Sequence, residues 1–286
     1  MPQTTVRPPL RRKRVLTVLA CGIAVAAGAG LLVSCGTATD SAPEAAPEVV
    51  PPTANATFDY QIGGPYTPPS GVEAVSRDRG ARPVEGLYNV CYVNAFQAQP
   101  DALGWWEKNH PDLLLRDADG EPVDDEAWGE AVLDTSTAGK RTRLAKIVGD
   151  WIDGCAASGF QAVEPDNLDS YERSDGLLTP ADNTAFAKLL ADRAHAAGLA
   201  IGQKNSADLL GRRKEIGFDF AVVEECGRYD ECAGYASAYE GRVFVVEYTA
   251  GAFEEACSSV GEGVSVVRRD LDVVPEGRPG YVFRTC

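Results

Sequence analysis

Histidine is nearly absent, with only His110 and His195 in 286 residues. His195 falls in the last turn of an expected helix, where the helix dipole favours a cation, and His110 sits in a loop before Pro111. Neither suits the base of a Ser-His-Asp triad, and no G-x-S-x-G nucleophile elbow occurs. A G-x-G-x-x-G cofactor loop and a phosphate-binding lysine loop are missing too. The first turn after the first expected strand reads Gly63-Gly64-Pro65-Tyr66, so a nucleotide-binding reading loses its main support. With no C-x₂-C pair and so little histidine, a zinc site has no ligand set. A metal held by carboxylates alone is the one metal reading left open, and the expectation is no metal and no cofactor.

Basic residues are also in deficit: 27 Lys and Arg stand against 42 Asp and Glu, a formal net charge of −15. Five of those cations, Arg7, Arg11, Arg12, Lys13 and Arg14, lie in the first 34 residues, which hold no acidic residue. Without that segment the charge falls to about −20, a field that repels nucleic acid and attracts cationic ligands. Acidity of this kind also serves simply to keep a secreted protein soluble.

The basic patch is followed by an apolar run from Val15 to Val33 and then by Leu32-Val33-Ser34-Cys35-Gly36, which resembles a bacterial lipoprotein box. Residues 1–34 are therefore read as a lipoprotein signal peptide and Cys35 as the lipidated mature N-terminus, placing the protein outside the cytoplasm on the outer face of the cell membrane. A plain signal peptide or an uncleaved anchor would share much of this pattern. Residues 35–56, rich in Ala, Pro, Thr and Glu, bury too little to offset the entropy of ordering them and read as a disordered tether. Residues 57–286 have the size of one domain, and the chain is read as a monomer. Setting aside Cys21 and Cys35 leaves six cysteines for an oxidising compartment. Cys226 and Cys232 are close enough to bridge, Cys257 can tie the last helix to Cys286, and Cys91 with Cys155 is left by exclusion, though six cysteines allow 15 connectivities.

Within the domain, short apolar segments alternate with amphipathic ones, as βα units do. Strands are expected at 58–62, 87–94, 131–134, 160–165, 199–204, 218–224, 242–248 and 264–267. The best helix runs from Pro180 to Ala197, capped by Thr179 and ended by Gly198, with Phe186, Leu189, Leu190 and Ala194 on one face. Others are expected at 138–157, 207–216, 101–109 and 229–239. Eight strands could lie in an open doubly wound sheet or close into a barrel. The fold expected is α/β, a single (β/α)₈ TIM-type barrel.

Acidic and amide residues gather where these strands end, the face that carries the active site in such barrels. They are Asp134, Glu164 to Asn167, Lys204-Asn205, Glu224-Glu225 and Glu247-Tyr248. Alternation along a strand lets Glu164 and Asp166 point the same way. Carboxylates crowded together must be partly protonated or paired, which is how acid/base pairs are tuned, and Lys204 is available to neutralise some of the charge.

Four ordered strings then bear a resemblance. They are Gly159-Phe160-Gln161-Ala162-Val163-Glu164-Pro165-Asp166-Asn167-Leu168-Asp169-Ser170-Tyr171, Gly202-Gln203-Lys204-Asn205, Phe218-Asp219-Phe220-Ala221-Val222-Val223-Glu224-Glu225-Cys226 and Val246-Glu247-Tyr248. Together they resemble the endo-α-1,4-polygalactosaminidase family, glycoside hydrolase family 114, from Tyr60-Gln61 to the C-terminus. The resemblance implies a barrel that cleaves α-1,4-linked galactosamine polysaccharide with two acids. The family's Asp in Pro-Asp-Asn falls on Asp166 and its Glu in Asn-Glu-Gln-Cys falls on Glu224. This chain departs from the second motif in having Val223-Glu224-Glu225-Cys226, so Glu225 competes for that role.

The assignment expected is Asp166 as nucleophile and Glu224 as general acid/base, with retention preferred over inversion. Tyr60, Tyr92, Tyr171 and Tyr248 could stack on a sugar or an ammonium, or simply pack. Glu164, Asp134 and Glu247 could hold the 2-ammonium of galactosamine or serve structure. Gln61, Asn167, Asp169, Lys204 and Asn205 complete the expected substrate-binding set, and the four tryptophans are left structural. The partner expected is a cationic amino-sugar polysaccharide, with the membrane reached through the lipid anchor. A lipid-anchored carbohydrate-binding protein without turnover, or a glycosidase for another α-linked sugar, are the other readings.

Overall fold

A computed structural model describes residues 47–286. The signal peptide, Cys35 and the first part of the tether lie outside the described residues. No helix among the described residues is long and apolar enough to cross a membrane. Residues 47–56, expected within the tether, run along the domain instead: Pro47 lies against Gly198, Tyr88 donates to the Val50 carbonyl at 2.8 Å, and Asn55 N donates to Gly241 O at 3.1 Å.

In chain order the elements are β1 (Phe58–Tyr60), β2 (Ala74–Asp78), β3 (Tyr88–Asn94), β4 (Gln97–Ala98), α1 (Leu103–Asn109), β5 (Asp124–Asp125), β6 (Glu130–Val132), α2 (Ala138–Ser158) and β7 (Ala162–Asp166). There follow α3 (Pro180–Ala196), β8 (Ala200–Lys204), α4 (Arg213–Ile216), β9 (Phe220–Glu224), α5 (Cys226–Tyr229), α6 (Cys232–Ala238), β10 (Val243–Glu247), α7 (Ala250–Val260), β11 (Ser265–Arg269) and β12 (Phe283–Thr285). Strands β1, β2, β3, β7, β8, β9, β10 and β11 pair in that order and in parallel, and β12 adds an antiparallel strip to β11. β11 returns against β1, so the sheet nearly closes. A buried ion pair, Arg269 to Asp59 at 3.2 Å, spans that seam.

Closure explains the core. One parity of each strand points inward, where Phe58, Phe220 and Phe244 pack with Val90, Ala162, Ala200 and Val267, the Phe58 and Phe244 rings stacked at 4.2 Å. The other parity, with Val93, Val163, Ile201, Val223 and Val245, packs outward on helices carrying Leu144, Ile152, Phe186 and Leu190. Gly202 is needed inside, because a Cβ there would come within 2.8 Å of the Phe220 ring.

Two expectations about strands are corrected. Residues 131–134 are not the third barrel strand, because β6 pairs antiparallel with β4 and β5 in a separate three-stranded sheet inserted between β3 and α2. The barrel strand that replaces it, β2, was unpredicted. Its short Ala-Val-Ser-Arg-Asp run has only two apolar residues before it turns polar. α3 has the expected Thr179 cap as a full capping box with Asp182, but Leu189 is exposed rather than on the buried face. The expected helix 207–216 is a 3₁₀ turn followed by α4. The disulfides are Cys91–Cys155, Cys226–Cys232 and Cys257–Cys286, as expected.

Candidate active site

At the C-terminal ends of the parallel strands, a single ammonium gathers the charged groups. Lys204, the last residue of β8, places Nζ 3.0 Å from Glu164 Oε1, 3.0 Å from Asp166 Oδ1, 3.4 Å from Glu224 Oε2 and 3.0 Å from the Tyr60 hydroxyl. All share the inward parity of β1, β7, β8 and β9. Depth separates them: Glu164 and Lys204 side chains are 0% and 1% exposed, whereas Asp166 and Glu224 are 17% and 25% exposed. Glu164 is two residues further down β7 and is closed off from solvent; Asp166 and Glu224 face the bowl.

Each exposed acid has its own holder. Tyr92 donates to Asp166 Oδ2 at 2.6 Å and Asn167 N to Oδ1 at 2.8 Å. Tyr248 donates to Glu224 Oε1, Asn205 Nδ2 reaches Oε2 at 3.4 Å, and Asn205 Oδ1 accepts from Glu224 N at 2.8 Å. Glu164 accepts from Tyr60 at 2.8 Å and from Ser76 at 2.7 Å.

These contacts divide the protonation states. Burial would raise the Asp166 carboxyl, but Lys204, the Tyr92 hydroxyl and the Asn167 amide outweigh it and hold Asp166 below the usual carboxylate range. Burial dominates at Glu164 and pushes it up despite Lys204. Burial would depress Lys204, yet Asp166, Glu224, Tyr60 and Glu164 together keep it well above the ordinary lysine value. The ammonium is therefore a fixed positive charge.

The backbone turns sharply just past these residues. Asn167, Asn205 and Glu225 have φ of 65°, 47° and 57°, so β7, β8 and β9 each end in a left-handed residue directly after the inward-facing one. The turn resolves the adjacent glutamates: Glu224 closes the strand facing inward, while Glu225 swings away to bond Arg228 at 2.9 Å.

Tyr60, Tyr92, Glu164, Asp166, Asn167, Lys204, Asn205, Glu224 and Tyr248 thus come together, but five expected residues do not join them. Asp134 follows the inserted sheet and pairs with Lys140, bonding Ser136 as well. Gln61 is spent beside the seam, donating to Asp59 at 2.7 Å and accepting from Arg77 at 2.9 Å. Tyr171 packs in the small core of the inserted sheet and donates to Asp208. Asp169 pairs with Arg173, which also reaches Asn167 at 3.1 Å, one contact removed from the bowl. Glu247 has the outward parity of Val243 and Val245 and lies under α5, accepting from Gly227 N at 2.7 Å.

Three residues of the site went unread in the sequence. Ser76 belongs to the unpredicted β2, and Asn94 and Glu130 meet only because the inserted sheet folds over the rim. Glu130 accepts from Asn94 at 2.7 Å and Asn167 at 3.2 Å, and burial pushes its carboxyl up. Only the alternation of β3, which puts Asn94 on the side of Tyr92, could have pointed to any of them.

Glu247 is fully buried, and its Oε2 has no hydrogen-bond partner. Burial raises it to about 7. The stability that its neutral form gives is complete below the ordinary carboxylate value of 4.5 and is lost as pH rises through about 7. Glu247→Gln should remove about 3 kcal/mol of the parent's decline between pH 4.5 and pH 8, read as a flatter dependence of Tm on pH. An unchanged slope would contradict this. Cys226 and Cys232 have sulfurs close to this carboxyl, but they are joined as a disulfide and are not thiolate ligands.

A model of glycoside-hydrolase family GH114 matches residues 38–286. Among solved structures, Ega3 from Aspergillus fumigatus, in complex with galactosamine, is 25% identical, with a TM-score of 0.66 over 84% of this chain and 98% of that one. The glycoside hydrolase domain of PelA from Pseudomonas aeruginosa is 15% identical, with a TM-score of 0.53 over 81% of this chain and 98% of that one, a likeness of fold. No curated protein sequence matches the chain.

Proposed function

The chain belongs to glycoside-hydrolase family GH114 and is a glycoside hydrolase; from that premise we propose that it cleaves α-1,4 linkages in galactosamine-containing polysaccharide, with Asp166 as nucleophile and Glu224 as general acid/base. The observation that carries this reading is the meeting of two solvent-reachable carboxylates on one sealed ammonium. Both acids contact Lys204 Nζ, at 3.0 and 3.4 Å, so Asp166 Oδ1 and Glu224 Oε2 lie no more than about 6.4 Å apart across the bowl. Retention is the stereochemical outcome proposed.

In the first step an Asp166 oxygen bonds to the anomeric carbon, the glycosidic bond breaks, and Glu224 gives its proton to the leaving oxygen. In the second, Glu224 takes a proton from water, whose oxygen displaces Asp166 from that carbon. The lowered Asp166 carboxyl supports its role as the ionised partner. An acidic chain and the galactosamine bound by Ega3 support an amino-sugar substrate. Incubation with a polymer of α-1,4-linked galactosamine should release oligosaccharides whose new ends are first seen by NMR as the α-anomer. First appearance of the β-anomer would overturn retention, and binding without release would overturn the enzyme.

We place this activity outside the cytoplasm, on a lipid at Cys35. Three disulfides, which persist in oxidising compartments, support that location. Fatty-acid labelling should be lost in Cys35→Ala; labelling that survives the substitution would refute the anchor.

A further inference from the structure

Between the end of β3, α1 and α2 lies a pocket of about 330 Å³ that the proposed chemistry does not use. Its size is within the range of small-molecule sites. Trp105 and Trp151 form its aromatic walls with the buried Trp106 behind them, the Trp105 and Trp106 rings meeting edge to face at 5.1 Å. Trp105 is 45% exposed despite its size, so its ring is available to a ligand. Arg79 rests its guanidinium over the Trp151 ring at 4.5 Å, and Gln99 and Asn94 add amide groups. No carboxylate lines the pocket.

The pocket wall is hydrogen-bonded to the residue that follows the proposed nucleophile. Asn94 Oδ1 accepts from Asn167 Nδ2 at 3.0 Å, and Asn167 N donates to Asp166 Oδ1 at 2.8 Å. One residue, Asn167, therefore separates the pocket wall from the proposed nucleophile.

Its charge is the reverse of the bowl's. Arg79, the charged side chain of its lining, repels the ammonium of galactosamine, whereas the exposed Trp105 indole and the amides suit an uncharged sugar with an acetamido group: the ring stacks, the methyl is buried, and the amide finds donors and acceptors. We infer that this pocket is a subsite for an N-acetylated hexosamine of the chain being cut, so that the enzyme reads a neutral sugar beside the cationic stretch it hydrolyses. The inference rests on the hydrolase reading for its substrate but not for its test.

The test titrates two α-1,4-linked galactosamine oligomers of equal length, one fully deacetylated and one partly N-acetylated, onto the full chain carrying Asp166→Asn. Calorimetry should show about tenfold tighter binding of the N-acetylated oligomer, and Trp105→Ala should remove that preference. Arg79→Glu, a change at an exposed position, should reverse it by drawing in the ammonium. Equal affinities, failure of both oligomers to bind, or a preference that survives both substitutions would overturn the subsite. Intact preference together with no cleavage of either oligomer by the unsubstituted chain would sink the hydrolase reading and leave the subsite standing.

Discussion

Asp166→Asn is expected to lower kcat by at least about 10⁴-fold while leaving the fold intact, and Glu224→Gln by about 10²–10⁴-fold. The two losses differ in kind. Asparagine removes the proposed nucleophile, and Glu164 beneath it cannot take its place because it is sealed by Tyr60, Ser76 and Lys204. Glutamine at 224 removes a proton donor, so substrates with acidic leaving groups, which depart without help, should recover much of the first step. A small external anion such as azide should then speed the second step in Glu224→Gln and give an azide adduct. Full activity in either variant would contradict the assignment, and loss of activity in Glu225→Gln comparable with that in Glu224→Gln would exchange the two glutamates.

Lys204→Met should combine the largest loss of stability with an altered pH profile. The ammonium is 1% exposed and contacts three carboxylates and a phenol. Removing it leaves carboxylates buried without a counter-charge, at a cost of about 3–5 kcal/mol. The pH signs follow from the directions of shift. Asp166 is held low by Lys204, so its contribution is present above the unfolded carboxyl value and lost as pH falls through the lower folded one. In Lys204→Met the strongest force opposing burial is gone and the Asp166 carboxyl rises, so the variant's stability deficit is greatest near neutral pH and shrinks as pH falls, while the acidic limb of the rate profile moves upward. Lys204 is itself raised, so its contribution is complete below about 10.5 and lost only as pH climbs through the folded value. Adding Glu164→Gln should recover part of the stability, since one stranded carboxylate is neutralised. Thermal unfolding of the single and double variants across pH measures this; a double variant no more stable than Lys204→Met would contradict the pairing.

How much of this was legible in the sequence follows from what alternation and motifs encode. The strings around Asp166, Lys204 and Glu224 named groups that meet at the strand ends, and the parity of β7 put Glu164 and Asp166 on one side. Parity gives the side and not the depth, so the burial of Glu164 had to come from barrel closure. Glu247 was assigned from its place at a strand end, although counting from Phe244 and Val246, which face inward, would have turned it outward. Asp134 and Glu130 depend on an antiparallel insertion whose short strands leave little trace in an apolar pattern, and one expected residue left the site while an unexpected one joined it. The pocket at Trp105 was hidden for a different reason. A Trp-Trp pair on a short helix looks like core, and only Trp106 is buried.

The most direct test is to trap the covalent intermediate. An activated α-galactosaminyl fluoride that enters the first step quickly and leaves the second slowly should load one sugar onto the enzyme. Peptide mass mapping should then place that sugar on Asp166. A sugar on Glu224, or steady hydrolysis with no sugar-bearing peptide at any time, would contradict the account.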